Sequence, residues 1–189
     1  MRLTKPRIAP VAEGDWTDEQ RELVAPMADR GAILNIFRTF LNKPAAMKGF
    51  LGWGSYILSK KNSLPARERE IVILRIGYLC KAGYEWTQHV PIGQRAGLTD
   101  AEIARIKAGA DAPGWSAADA ALIRATDDLH HQQFVTEPSW ADLLKHFDQG
   151  QAMDLVFTAG QYTQVSMLLN SFGVQLDEGQ TLDPDLKGF

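Results

Sequence analysis

The stretch "IVILRIGYLC", residues 71–80, is apolar at nearly every position, with Arg75 as its single charge. An amphipathic surface helix would show one apolar stripe. A helix apolar nearly all round lies in a core or in an interface between subunits. The run is rich in β-branched residues, so a strand is the rival reading. Its length and its start favour the helix. In "LPARERE", Pro65 suits a first turn, and Glu68 and Glu70 stand near the positive end of the helix dipole.

Helical patterns with recognisable ends recur on both sides. Pro6 and Pro10 keep residues 1–16 extended. Thr17 and Gln20 in "TDEQ" form a capping box, which predicts a helix running to near Gly31 and bent or split at Pro26. A short helix over "ILNIFRTFLNKP" ends before Pro44, and Pro44 opens "PAAMKGFLGWGSYILSK". Gly49, Gly52 and Gly54 weaken that helix unless packing compensates, and so predict another helix lying tight against it.

A break at Gly83 precedes "YEWTQHVPIGQRAG", a helix ending at Gly97 and kinked by Pro91 one turn beyond Glu85. Thr99 and Glu102 form a second capping box, for residues 100–108. Ser116 caps a helix to about Gln133. Pro138 and Trp140 begin one that reaches Phe147, and a long helix covers about 149–172 before Gly173. The polar tail beyond, with Pro184, is expected on the surface or against a neighbouring subunit. No strand or solenoid repeat stands out. The expectation is an all-α fold in one domain, residues 1–189, with an N-terminal arm (1–16) and a C-terminal tail (174–189).

Composition narrows the partners. Apolar residues make up 45% of the chain, enough for a real core, and the formal charge of −3 provides no general basic surface for nucleic acid. Arg2, Lys5 and Arg7 are not followed by an apolar run, so no signal peptide is expected. No segment nears the roughly 18 apolar residues of a membrane span. A cytoplasmic protein is the expectation. One cysteine, Cys80, rules out an intrachain disulfide and a Cys-x-x-Cys pair, and reads as a buried small hydrophobe in a reducing cytosol.

The chemistry starts from "YEWTQHV". Glu85 and His89 stand four residues apart and share one helix face, where a carboxylate favours and orients a protonated ring. An exposed helix pair is the plainer alternative. Glu70 shifts the balance, because Ile73, Leu74 and Gly77 share its stripe and turn it toward the core. A hairpin around Gly83 would bring Glu70 to Glu85 and His89, making a proton relay of two carboxylates and an imidazole. The same three side chains could ligate a metal. His130, His131 and His146 show no ligand spacing with them, so neither metal nor cofactor is expected. Cys80 lies nine residues before His89, half a turn out of phase, and is not activated by it on one continuous helix.

The stretch "LPAREREIVILRIGYLCKAGYEWTQHV", followed by "GLTDAEI", resembles the core of the carboxymuconolactone decarboxylase family, which shares the alkylhydroperoxidase D-like fold. "QYTQVSMLLNSFGVQL" is similar to the end of longer members, and "LNIFRTFLNKP" to their N-terminal helical region. Peroxidases of this family carry a glutamate, a Cys-x-x-Cys and a histidine four residues past the second cysteine. Glu70 and His89 match the glutamate and the histidine, but the cysteine positions hold Ala82 and Glu85. A disulfide peroxidase needs one thiolate to attack and another to resolve, so the resemblance does not extend to that activity, and Cys80 is displaced by two positions.

The decarboxylase branch matches better. It implies a cofactor-independent lyase acting on a carboxylated lactone of aromatic degradation, with His89 as proton donor and Glu85 or Glu70 setting its tautomer. A cation for substrate carboxylate would be Arg38 or Arg75; the plainer readings are a surface charge and a structural ion pair. His130, Tyr162 and Trp86 are further substrate-binding candidates, against a helix-end cation for His130 and packing roles for the two aromatics. The resemblance implies a homo-oligomer, a trimer or hexamer, with a small-molecule substrate and neither nucleic acid nor membrane as partner. The alternatives are an alkylhydroperoxidase-like antioxidant of the peroxiredoxin type, or a non-catalytic small-molecule-binding oligomer.

Overall fold

The computed structural model describes residues 3–28, 31 and 33–188. Its helices are α1 (Asp18–Ala28), α2 (Asn35–Phe40), α3 (Pro44–Ile57), α4 (Ala66–Leu79), α5 (Gly83–Ala96), α6 (Asp100–Ala108), α7 (Ala117–Gln132), α8 (Glu137–Leu143) and α9 (Gln149–Phe172). Among the described residues there is no strand, and no helix is long and apolar enough to cross a membrane.

The apolar helix α4 is the hub. It packs against α5, α6, α7 and α9, and Ile71, Val72, Ile73, Leu74 and Ile76 are fully buried. Its apolar circumference is therefore covered within one chain. Each of those side chains removed from water contributes about 1.5–3 kcal/mol, which is what holds so short a helix in place.

α4 and α5 form a hairpin, and the left-handed backbone at its turn belongs to Lys81 (φ 55°) rather than to Gly83. The Ala82 amide donates to the Gly77 carbonyl at 2.8 Å and closes the turn. Two glycines let the helices approach. A Cβ on Gly77 would lie 3.3 Å from Cγ of Glu85, and one on Gly93 would lie 3.0 Å from Leu98 and 3.7 Å from Cβ of Glu70. The glycines expected to make a close contact do not. Among the described residues nothing lies within 4 Å of the Cβ position at Gly49, Gly52 or Gly54.

Helix ends follow local chemistry. Thr99 and Glu102 close a reciprocal capping box on α6, and Asp148 with Gln151 closes another on α9. Gly97 (φ 109°) and Gly173 (φ 68°) end α5 and α9 in the left-handed conformation. α1 extends through Pro26 to Ala28; the stop expected near Gly31 falls on a stretch that includes residues outside those described. α5 likewise runs unbroken through Pro91. α8 stops at Leu143, short of the expected Phe147.

The tail folds back onto its own chain. Asp177 accepts from the Asn35 amide, the Tyr84 hydroxyl and the Gln88 side chain, at 2.7, 2.7 and 2.8 Å. Lys107 pairs with Asp183 and Asp185, and Leu186 is fully buried.

Candidate functional site

The hairpin places Glu70 on α4 directly against Glu85 and His89 on α5. His89 Nδ1 lies 2.7 Å from Oε2 of Glu70, and Nε2 lies 3.1 Å from Oε1 of Glu85. Glu70, Glu85 and His89 are 1%, 3% and 7% exposed, so the imidazole is clamped between two carboxylates away from bulk water. The 3.1 Å approach is not aligned as a hydrogen bond, and Oε1 of Glu85 has no hydrogen-bond partner among the described residues. One side of the clamp is thus satisfied, and the other holds an acceptor that a proton or a ligand donor would satisfy.

The electrostatics follow from this crowding. Burial, together with the charge of Glu70, outweighs the attraction of His89 and raises the Glu85 carboxyl to about 7. Burial alone would lower His89. The charge of Glu85 and the hydrogen bond and charge of Glu70 overcome it and raise the ring above its ordinary value. Glu85 is therefore about half protonated near neutral pH, beside an imidazole that binds its proton more tightly than usual.

α9 closes the site with Tyr162, whose ring meets His89 edge-on at 5.0 Å. Burial, then the charges of Glu85 and Glu70, raises its hydroxyl well above the usual phenol range, so it remains a donor. A cation that the sequence reading missed completes the group. Arg69 adjoins Glu70, and its positive charge reaches His89 and Tyr162, lowering both. Among the described residues its buried Nε has no hydrogen-bond partner, and Nη1 makes a long 3.5 Å contact with the Ser59 carbonyl. Within "RERE" it reads as a solvated first-turn charge, and no spacing distinguishes it from Arg67. The neighbouring Arg67 is spoken for, by both oxygens of Asp119 at 2.8 and 3.1 Å and by Glu102.

The remaining candidates make their contacts elsewhere. Arg75 is a structural group, bound to both oxygens of Asp127 and to the carbonyls of Ile106 and Lys107. Arg38 donates to the Ile33 carbonyl and lies over the Trp16 ring. Trp86 is buried against Tyr78, with the Lys107 ammonium over its ring. His130 faces Cys80 and His131. Cys80 is half-buried rather than fully enclosed, and the imidazole beside it is His130, not His89. No cluster of three or more histidine, cysteine, aspartate or glutamate side chains with metal-binding geometry occurs among the described residues.

A sequence model of the carboxymuconolactone decarboxylase family matches residues 44–128, which span α3 to α7. No curated protein sequence matches the chain. Several solved structures share its fold. The alkylhydroperoxidase AhpD core of a peroxidase-related protein from Ralstonia eutropha superposes with a TM-score of 0.79 at 18% identity, over 90% of this chain and 92% of that one. The debrominase Bmp8 in complex with 2,3,4-tribromopyrrole superposes at 0.76 and 12% identity, over 93% and 94%. An Agrobacterium tumefaciens protein of unknown function, named as a candidate AhpD antioxidant defence protein, gives 0.68 and 16%, over 73% and 94%. At these identities the likeness is one of fold.

Proposed function

With residues 44–128 a carboxymuconolactone decarboxylase family segment set in an alkylhydroperoxidase D-like fold, we propose that the chain is a cofactor-independent acid/base enzyme. Its substrate is a small carboxylated lactone or a related intermediate of aromatic degradation. One observation carries this reading: a buried imidazole held between two carboxylates, one satisfied and one not, next to an underpartnered guanidinium. The unmatched acceptor, Oε1 of Glu85, and the unmatched donor, Nε of Arg69, each cost about 1–3 kcal/mol when buried, and a bound substrate would offset that cost.

Decarboxylation leaves an electron pair on carbon. It needs an acceptor for developing negative charge and then a proton donor. The Arg69 guanidinium supplies the positive field for an enolate-type oxygen or a second substrate carboxylate. His89 delivers the proton from Nε2, the nitrogen facing Glu85, while Glu70 fixes Nδ1–H and so the orientation of the ring. Glu85 has a carboxyl raised to about 7, so it can restore the proton to His89 at neutral pH. Tyr162 presents its ring edge to His89 and keeps its hydroxyl proton. The rate is expected to fall as pH rises through about 7 and above, since the donor side of the relay then loses its proton.

The test is direct. Purified protein is incubated with a panel of carboxylated lactones and keto acids, and loss of carbon dioxide is read by mass spectrometry, for the parent and for His89→Ala, Glu85→Gln and Arg69→Gln. Turnover of a panel member that all three substitutions suppress supports the assignment. Full rate in His89→Ala removes it. The antioxidant alternative is opposed by Ala82 and Glu85, which occupy the two positions where the family's peroxidases need thiols.

A further inference from the structure

A cleft of about 530 Å³ lies where the ends of α4, α7 and α9 meet the N-terminal arm. Its lining includes Arg7, Cys80, His130, Ser166, Met167 and Asn170. Cys80 follows the last turn of α4, and His130 sits in the last turn of α7. Sγ of Cys80 lies 3.7 Å from Nδ1 of His130. Burial, with the charges of His131 and Arg75, outweighs Asp127 and holds His130 below the ordinary imidazole range. At neutral pH the ring is uncharged, and a lone pair on Nδ1 can take the thiol proton.

Two further groups in this cleft point to a ligand. Ser166 on α9 is 1% exposed and lines the cleft, and its hydroxyl has no hydrogen-bond partner among the described residues. Buried hydroxyls nearly always find partners, so this one is a donor awaiting an acceptor. Arg7 is held to the cleft by a 3.4 Å contact with the Ser171 carbonyl, and the arm is fixed by the amides of Arg7 and Ile8, which both donate to the Phe172 carbonyl. The cleft thus combines a thiol, a neutral imidazole, an unmatched hydroxyl and a cation, beside the apolar wall of Met167.

We propose that this cleft is a thiol site separate from the His89 centre, in which Cys80 attacks a small carboxylate bearing an electrophilic carbon, with His130 as base and with Arg7 and Ser166 holding the carboxylate. The step balances without an oxidant or reductant. The Cys80 proton passes to Nδ1 of His130, the sulfur electron pair forms an S–C bond, and the leaving group departs with the electrons of the bond it breaks.

Cys80 is the chain's one cysteine, so intact-mass measurement on the whole protein reports this cleft alone, with no need for turnover at His89. Iodoacetate is the anionic probe and iodoacetamide the neutral control, each scaled to its reaction with N-acetylcysteine at pH 7. Carboxymethylation is expected about tenfold faster than the reference, with a smaller advantage for iodoacetamide. Arg7→Gln is expected to lower the iodoacetate advantage about threefold and leave iodoacetamide unchanged, and His130→Asn to slow both probes about tenfold. A parent protein alkylated no faster than N-acetylcysteine overturns the proposal, and that comparison needs no variant to fold. An equal advantage for the two probes, or a His130→Asn rate equal to the parent's, overturns it as well.

Discussion

Two polar clusters lie along α4, and they differ in how completely their partners match. Around Arg75 the count closes. The guanidinium donates to both carboxylate oxygens of Asp127 and to two backbone carbonyls, tying α4 to α7 and to the end of α6. Around His89 it does not close. Two carboxylates share one ring, Oε1 of Glu85 has no aligned donor, and Nε of the adjoining Arg69 has no acceptor. Each cluster includes one buried polar side chain of α4, Arg75 in the first and Glu70 in the second. A matched cluster fixes geometry; a mismatched one stores a demand that a proton or a bound molecule can meet.

This contrast can be broken from either side. The largest effect is expected at the mismatched cluster. His89→Ala should lower turnover of a panel substrate about 10³-fold, the scale of a lost acid/base group, while circular dichroism and the size of the assembly stay as in the parent. At the matched cluster the sign of the result reverses. Arg75→Ala should cost about 3 kcal/mol of stability, because Asp127 and two carbonyls lose their donor, and should spare the rate per folded molecule. Thermal unfolding and an assay below the transition would separate the two quantities.

Glu85→Gln sharpens the comparison further, since its two consequences have opposite signs. The Glu85 carboxyl is raised from 4.5 to about 7, so folding takes up a proton across that window, and stability is lost as pH rises through it. The amide has no such loss. At pH 8 the variant should therefore be the more stable protein by about 3 kcal/mol, with the gap closing toward pH 5, even as turnover falls. Equal denaturation midpoints at pH 8 would show that Glu85 carries no buried charge. The smallest effect is expected at Lys107, whose pairs with Asp183 and Asp185 are solvent-exposed in part. Lys107→Ala should cost less than about 1 kcal/mol in urea unfolding.

Much of this molecule is legible in its sequence, and the exceptions have physical causes. Capping boxes, N-terminal prolines and apolar periodicity are local signals, and they place α4, α6, α7 and α9 close to their observed bounds. The face shared by Glu85 and His89 is also local. Glu70 could be added because an apolar stripe reports which side of a helix faces inward. Glycines are different. Gly77 and Gly93 mark the close approach of α4 and α5, while Gly49, Gly52 and Gly54 meet nothing. A glycine's role depends on what stands opposite, and that is set by tertiary packing. For the same reason Arg69 escaped notice while Arg67, two residues earlier, is fully engaged with Asp119 and Glu102. The partner of Cys80 lies fifty residues away on α7, beyond any spacing argument.

Asp177 gathers donors from α2 and from two successive turns of α5, the helix that carries Glu85 and His89. One carboxylate thereby acts as a clasp between α2 and α5. Cleavage of the chain ahead of that residue would release this hold and loosen α5, and with it Glu85 and His89, without touching either side chain.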